Sequence, residues 1–337
     1  MKFSKIDLHL HLDGSINPEL AYKISKEQNI IDNEISLNEF ESLLHADNVN
    51  NLKEYLDKFN IPIKLLQNKS NLYLFTYDLI ERLAKQNVKY AEIRLAPQFI
   101  ETDSVSQEEA FKECLRARNQ AIDDNLDIEI NFILCMMVLG DTKNNHDKNI
   151  NTIELAKKYL NKGVCLLDLA GAETSAPMID FKPYFALATS YNIPFTIHAG
   201  EQGGSENVNE AINFGAIRIG HGVHSIDDPK VINRLIKEKI ALEVCLTSNI
   251  QTKNQLSYQE HCLKKLYNLG VMTTINTDNM TVSNIDLNDE YYHILNQQFL
   301  TKDDILHMMI NSVNVSYASF DLKQRLLKEY NSLLGKE

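Results

Sequence analysis

Four short stretches of this 337-residue chain concentrate side chains able to bind a metal ion and move protons. They are His9-Leu10-His11-Leu12-Asp13, His198-Ala199-Gly200-Glu201, Gly220-His221-Gly222 and Asn276-Thr277-Asp278-Asn279. In the first, an extended backbone sends successive side chains to opposite faces. Asp7, His9, His11 and Asp13 then share one side, and Ile6, Leu8, Leu10 and Leu12 the other. Two imidazoles facing an interior are costly unless something satisfies them. A divalent cation does so, and H-x-H on one strand offers two ligands with a suitable bite. A catalytic zinc site takes three or more N or O ligands and keeps a position for water. His198 and Asp278 supply a third imidazole and a carboxylate. Three nitrogens and one oxygen, without thiolate, suit one Zn2+ per chain, although Fe2+ or Co2+ also fits. A water held there has its pKa lowered towards about 7.

Two further groups are candidates for proton work. Glu201 lies three residues past His198, and His221 sits between two glycines whose size permits close approach. The plainer alternatives are a solvated loop carboxylate and a hydrogen-bonded core histidine. The other histidines (His45, His146, His261, His293 and His307) fall in helical or loop segments and read as surface or packing residues; His224 has no assigned role.

These residues need a frame that collects them. Eight short β-rich runs recur between helix-length segments: Ile6–Leu12, Val88–Ala96, Glu129–Val138, Val164–Ala170, Pro194–Ala199, Ile217–Gly222, Ala241–Ser248 and Val271–Thr277. Amphipathic stretches such as Glu108–Asp123 and Asp228–Lys239 separate them. Strands alternating with helices indicate parallel βαβ units, and eight of them indicate an α/β fold of the TIM (β/α)8 barrel type. Catalytic groups in such barrels sit at the C-terminal strand ends, where all four stretches fall. One spacing is irregular, from Leu12 to Val88. That segment, 17–86, starts with Asn17-Pro18-Glu19, a good helix start, and is expected to be a helical insertion or lid over the mouth. The reading is a single domain over 1–337 with extra C-terminal helices.

Composition narrows the partners. The net charge of −12, from 46 acidic and 34 basic residues, repels a polyanion, so nucleic-acid binding is not expected. A small, nearly neutral substrate is compatible with it. The five cysteines form no C-x-x-C pair, which argues for a reducing compartment and against a cysteine-ligated zinc. No apolar run reaches the roughly 18 residues a membrane span needs. A cytoplasmic location without membrane contact is the expectation; no protein partner is legible.

Taken in order along the chain, these strings resemble the adenosine deaminase family of the amidohydrolase superfamily, in its bacterial-type form. The resemblance also rests on Tyr55-Leu56-Asp57-Lys58-Phe59, Tyr90-Ala91-Glu92-Ile93-Arg94, Asp168-Leu169-Ala170-Gly171, Arg218-Ile219-Gly220-His221-Gly222 and Thr247-Ser248-Asn249-Ile250-Gln251-Thr252. It implies that His9, His11, His198 and Asp278 bind zinc. It implies that Glu201 donates a proton to purine N1 and that His221 orients or deprotonates the attacking water. Asp13, Gly171 and Asn279 would hold the nucleoside, with Asp13 and His11 near the ribose 5′-hydroxyl. The implied reaction is hydrolytic conversion of adenosine, and of 2′-deoxyadenosine, to the inosine product and ammonia in purine salvage. Many animal-type members carry an acid where this chain has Asn279, and an amide donates to purine N7 without any proton change.

Three rivals remain open on sequence grounds. A deaminase of adenine or a modified AMP is disfavoured by Asp13, which suits a 5′-hydroxyl but repels a 5′-phosphate. A catalytically inactive nucleoside-binding protein is disfavoured because every ligand and proton-transfer residue is present. A different metal-dependent amidohydrolase, acting on a cyclic amide or ester with the same ligands, is disfavoured by the substrate-side set of Asp13, Gly171 and Asn279 and because Asp168-Leu169-Ala170-Gly171 ends strand four without a lysine to bridge two metals.

Overall fold

The computed structural model describes residues 3–47, 49, 52–297 and 299–335. Eight parallel strands run in chain order: β1 (Lys5–His11), β2 (Val88–Leu95), β3 (Glu129–Val138), β4 (Val164–Gly171), β5 (Thr196–Ala199), β6 (Arg218–His221), β7 (Ala241–Val244) and β8 (Thr273–Ile275). They form two four-stranded sheets, β1 to β4 and β5 to β8. Single parallel bridges join the sheets at both seams, Leu167 to Phe195 and Leu10 to Asp278. The second seam is tight, because Asp278 N–H donates to the His9 carbonyl at 2.7 Å and His11 N–H to the Asp278 carbonyl at 2.7 Å. The architecture is the expected TIM-type barrel.

Local chemistry explains the elements. The run Ile-Asn-Phe-Ile-Leu-Cys-Met-Met-Val in β3 is almost wholly buried, as a strand covered on both faces requires. The helix Gln107–Asp123 opens with a capping box between Ser106 and Glu109. The helix Pro229–Glu238 is started by the Asp228 side chain, which accepts from Lys230 N–H, with proline in the first turn. Asn17 caps the helix Pro18–Glu27 in the same way, accepting from Leu20 N–H.

The long β1–β2 connection holds the helices Pro18–Glu27, Leu37–Leu44, Leu52–Asp57, Asn60–Leu66 and Lys69–Lys85; residues 48, 50 and 51 of it lie outside the described residues. The last helix packs along Gln107–Asp123 and on β2, as a helix of the outer ring does. At the other end, Lys302–Val315 packs on β8 and β1, and Phe320–Leu333 packs on that helix. Tyr330 O–H then donates to the Ser4 carbonyl at 2.9 Å, tying the C-terminal helix to the start of β1.

The two strands that stop furthest short of their expected ends, β7 and β8, do so for one reason. Beyond them, side-chain hydrogen bonds to other elements and to the chain's own turn replace most of the ladder. Past β7, the chain turns into a helix at Leu246–Gln251, with Thr247 N–H on the Glu290 carboxylate at 3.1 Å and Thr252 Oγ1 bonded back to the Ser248 carbonyl at 2.8 Å. Past β8, Asn276 spends its side chain on Leu8 N–H at 3.0 Å and the Val244 carbonyl at 3.3 Å.

Candidate active site

His9 and His11 on β1, His198 on β5 and Asp278 just past β8 bring their ligand atoms within 4.8 Å of one another. Asp278 Oδ1 lies 3.5 Å from His9 Nε2 and 3.4 Å from His11 Nε2. The outer ring nitrogens are already engaged. His9 Nδ1 pairs with Glu243 at 3.0 Å, and His198 Nδ1 with Asp168 at 2.9 Å. Carboxylates behind imidazoles fix the tautomer and leave Nε2 facing the centre. His9 Nε2 is buried there with no hydrogen-bond partner. An orphaned imidazole nitrogen among two further imidazoles and a carboxylate fits a divalent metal. Burial opposes the charge on Asp278, but His9 and the other surrounding imidazoles hold its carboxyl well below its usual range.

Cys245 also comes near His221 and Asp278, closer to the site than its sequence position suggested. Burial pushes its thiol well above the ordinary value, and Sγ points at the Glu243 carbonyl at 3.6 Å.

Beside the cluster opens a cavity of about 380 Å3. His11, Asp13, Gly171, Glu201, His221 and Asn279 all line it, so the expected nucleoside-side and proton-transfer residues meet in one place. Glu201 is 7% exposed. Burial first, and then the charge of Asp278, push its carboxyl up to about 8, so the group carries a proton at neutral pH. His221 Nε2 is 3.8 Å from the Glu201 carboxylate, and its Nδ1 meets the Asn249 amide at 3.0 Å. Burial holds this imidazole neutral, well below its ordinary value. Asp13 lies in the turn after β1 rather than on the strand, with its carboxyl raised to about 6 by burial.

Backbone conformation matters at three of these positions. His221 and Asp278 have φ of 59° and 61°, a left-handed region that costs a non-glycine residue about 1–3 kcal/mol and recurs at functional sites. Gly171 has φ of 108°, and a Cβ there would lie 2.9 Å from the Val138 carbonyl. Only glycine fits. Asn279 Nδ2 donates to Tyr55 O–H at 3.1 Å, which leaves the second amide N–H for a ligand.

Beneath the cluster lies a set of charges that sequence reasoning did not assign. Arg94 bonds Asp168 at 2.8 Å and also Glu243; Arg218 bonds Glu243 at 2.6 Å and also Glu92. All five are fully or almost fully buried. Asp168 and Glu243 thus link the two guanidinium groups to the backs of His198 and His9. The available signal was a charged residue inside otherwise apolar strands, as in Tyr90-Ala91-Glu92-Ile93-Arg94 and Ala241-Leu242-Glu243-Val244.

The chain matches the family model described as adenosine deaminase over residues 4–332. An adenosine deaminase of Clostridium kluyveri is 39% identical over 98% of this chain and 94% of its own length. Among solved structures, an adenine deaminase of Arthrobacter aurescens superposes with a TM-score of 0.87 at 22% identity, covering 98% of each chain. The N6-mAMP deaminase of Arabidopsis gives 0.83 at 25% identity, covering 98% of each chain.

Proposed function

Since the chain belongs to the adenosine deaminase family and hydrolytically deaminates adenosine, we propose that His9, His11, His198 and Asp278 hold one zinc ion and that Glu201 and His221 carry the proton transfers. The observation that carries this reading is the unpartnered His9 Nε2 inside the ligand cluster, next to a cavity containing a protonated Glu201. When bound, the metal lowers the pKa of a water so that it attacks C6 at neutral pH.

The chain's own groups do the rest. Glu201 gives its proton to N1 as C6 becomes tetrahedral, which lets the ring accept electron density from the attacking oxygen. His221, neutral and fixed by the Asn249 amide, orients the water and takes its proton. The exocyclic amine then takes the proton held by His221 and leaves as ammonia, while the Glu201 carboxylate takes the hydroxyl proton and C6 becomes a carbonyl. Gly171 presents its backbone N–H to the purine, and the free N–H of Asn279 meets N7. Asp13 is ionised at neutral pH and accepts the 5′-hydroxyl of the ribose. The helices Leu52–Asp57 and Asn60–Leu66 and the turn between them contribute Tyr55, Leu56, Phe59 and Ile63 to the cavity wall, and the inserted segment acts as a cover that excludes water.

The Asp13 carboxylate favours a nucleoside over its 5′-phosphate. No helix among the described residues is long and apolar enough to cross a membrane, and all five cysteines are buried and unpaired, which suits the reducing cytoplasm.

Metal content of the purified protein and initial rates on adenosine, adenine and AMP test the assignment together. One zinc per chain is expected, with chelation abolishing activity and zinc restoring it. Adenosine should be the fastest substrate. Faster turnover of adenine or AMP contradicts the role given to Asp13, and full activity after complete metal removal contradicts the ligand set.

A further inference from the structure

Glu173 stands two residues past Gly171, in the short turn Glu173–Ser175, and is 4% exposed. Its Oε1 accepts from Gly200 N–H at 2.7 Å and Asn207 Nδ2 at 2.9 Å. Its Oε2 accepts from the N–H groups of Glu201, Gln202 and Gly203 at 3.0, 2.9 and 2.9 Å. Four consecutive backbone donors therefore converge on one carboxylate. Loops use such concave sets of N–H groups to bind external anions; here the chain supplies the anion itself. A carboxylate offers about four lone-pair sites, so the five donors fill it. The fit leaves no room on the loop side, because a Cβ at Gly203 would lie 2.6 Å from Glu173 Oε1.

The loop so fastened is the one that carries Glu201. Glu173 itself does not line the cavity, whereas its neighbours Gly171 and Ala172 do. One short segment after β4 thus forms part of the wall against which the base rests and also clamps the loop bearing the acid. We propose that Glu173 is the positioning residue for the proton donor, holding loop 200–203 in the geometry in which Glu201 reaches the ring nitrogen. This rests on Glu201 being that donor. The Glu173 charge acts in the same sense, since it adds to the burial that keeps Glu201 protonated.

The test uses the full-length, zinc-loaded enzyme. Glu173→Gln keeps the size of the side chain but turns an NH2 group towards backbone donors. Misplacing a reacting group by an ångström costs roughly 10²-fold, and a loss of about that size in kcat is expected, with KM changed by less than about threefold. Purine riboside has no leaving group and reports the addition step alone; its binding should weaken with kcat, while inosine binding and zinc content stay at wild-type levels. In a Glu201→Gln background, adding Glu173→Gln should change the residual rate by less than about twofold, because residues acting through one group are non-additive. Losses that multiply in the double variant overturn the proposal, as does a loss confined to KM and inosine affinity. Full activity in Glu201→Gln alone instead overturns the donor assignment and is a separate result. Should Glu173→Gln fail to fold, Gly203→Ala presses on the same contact from the loop; an unchanged kcat in that variant also overturns the proposal.

Discussion

Two buried polar clusters share one barrel and are made from similar residue types. In the lower one, Glu92, Arg94, Asp168, Arg218 and Glu243 leave no buried side-chain atom without a partner. In the upper one, His9 Nε2, Asn249 Oδ1 and Asn279 Oδ1 have none, and His221 and Asp278 sit in a left-handed backbone conformation. Fully paired charges hold a fold in one arrangement. Unpaired polar atoms and strained backbone are tolerated where a ligand will complete them. The difference separates scaffold from chemistry although both clusters lie mostly out of solvent, and the two touch through His9–Glu243 and His198–Asp168.

The sharpest way to break this contrast is Glu201→Gln. A positioned acid contributes roughly 10²–10⁴-fold in rate, so kcat should fall by that much. Thermal stability should hold or rise, because an amide replaces an acid that must be buried. A large drop in melting temperature in this variant would move Glu201 into the scaffold class.

The converse change is Arg94→Met. Removing one partner of a buried charge network costs about 3–5 kcal/mol, readable as a denaturant midpoint shift in the metal-free protein. Zinc affinity, measured by chelator competition, should weaken as well, because Asp168 and Glu243 lose the group that aligns them behind His198 and His9. An apoprotein as stable as wild type contradicts the scaffold role.

The smallest effect is that of pH. Glu201 acts as an acid only while protonated, and its carboxyl is raised to about 8; activity is therefore retained below about pH 8 and lost as pH rises through it. Stability carries the same sign. Between its ordinary 4.5 and about 8 the folded state binds the Glu201 proton and the unfolded state does not, so this group's contribution declines as pH rises. Four groups of the lower network do not titrate in this window: burial works against their charged forms, but pairing holds the Glu243 and Asp168 carboxyls low and the Arg94 and Arg218 groups high. Rate–pH profiles and melting curves at matched pH distinguish the two. An alkaline limb that persists in Glu201→Gln assigns it to another group.

Much of the frame was legible because its signals are local. Alternation along His9-Leu10-His11 places both imidazoles on one face whatever surrounds them. Asn17-Pro18 and Asp228-Pro229 announce helix starts through caps that need only a few neighbouring residues. The ends of β7 and β8 were less legible, because Thr, Ser and Asn satisfy local bonds as readily as ladder bonds and the choice was made by Glu290 and by the backbones of β1 and β7. Within 17–86, a helix packed on the ring and one added outside it share the same amphipathic period, so the sequence pattern does not separate them.

By itself, the sequence determined the strand–helix alternation, the residues at the strand ends, and hence an α/β barrel with a metal-binding constellation at one mouth. Only the tertiary structure decided which carboxylate stands behind which imidazole and which one clamps the acid-bearing loop. His9 and Glu243 are 234 residues apart, and Glu173 is 27 to 30 residues from the amides it holds. Periodicity assigns a side chain to a face, but partners at such separations are chosen by strand register and the closing of the barrel.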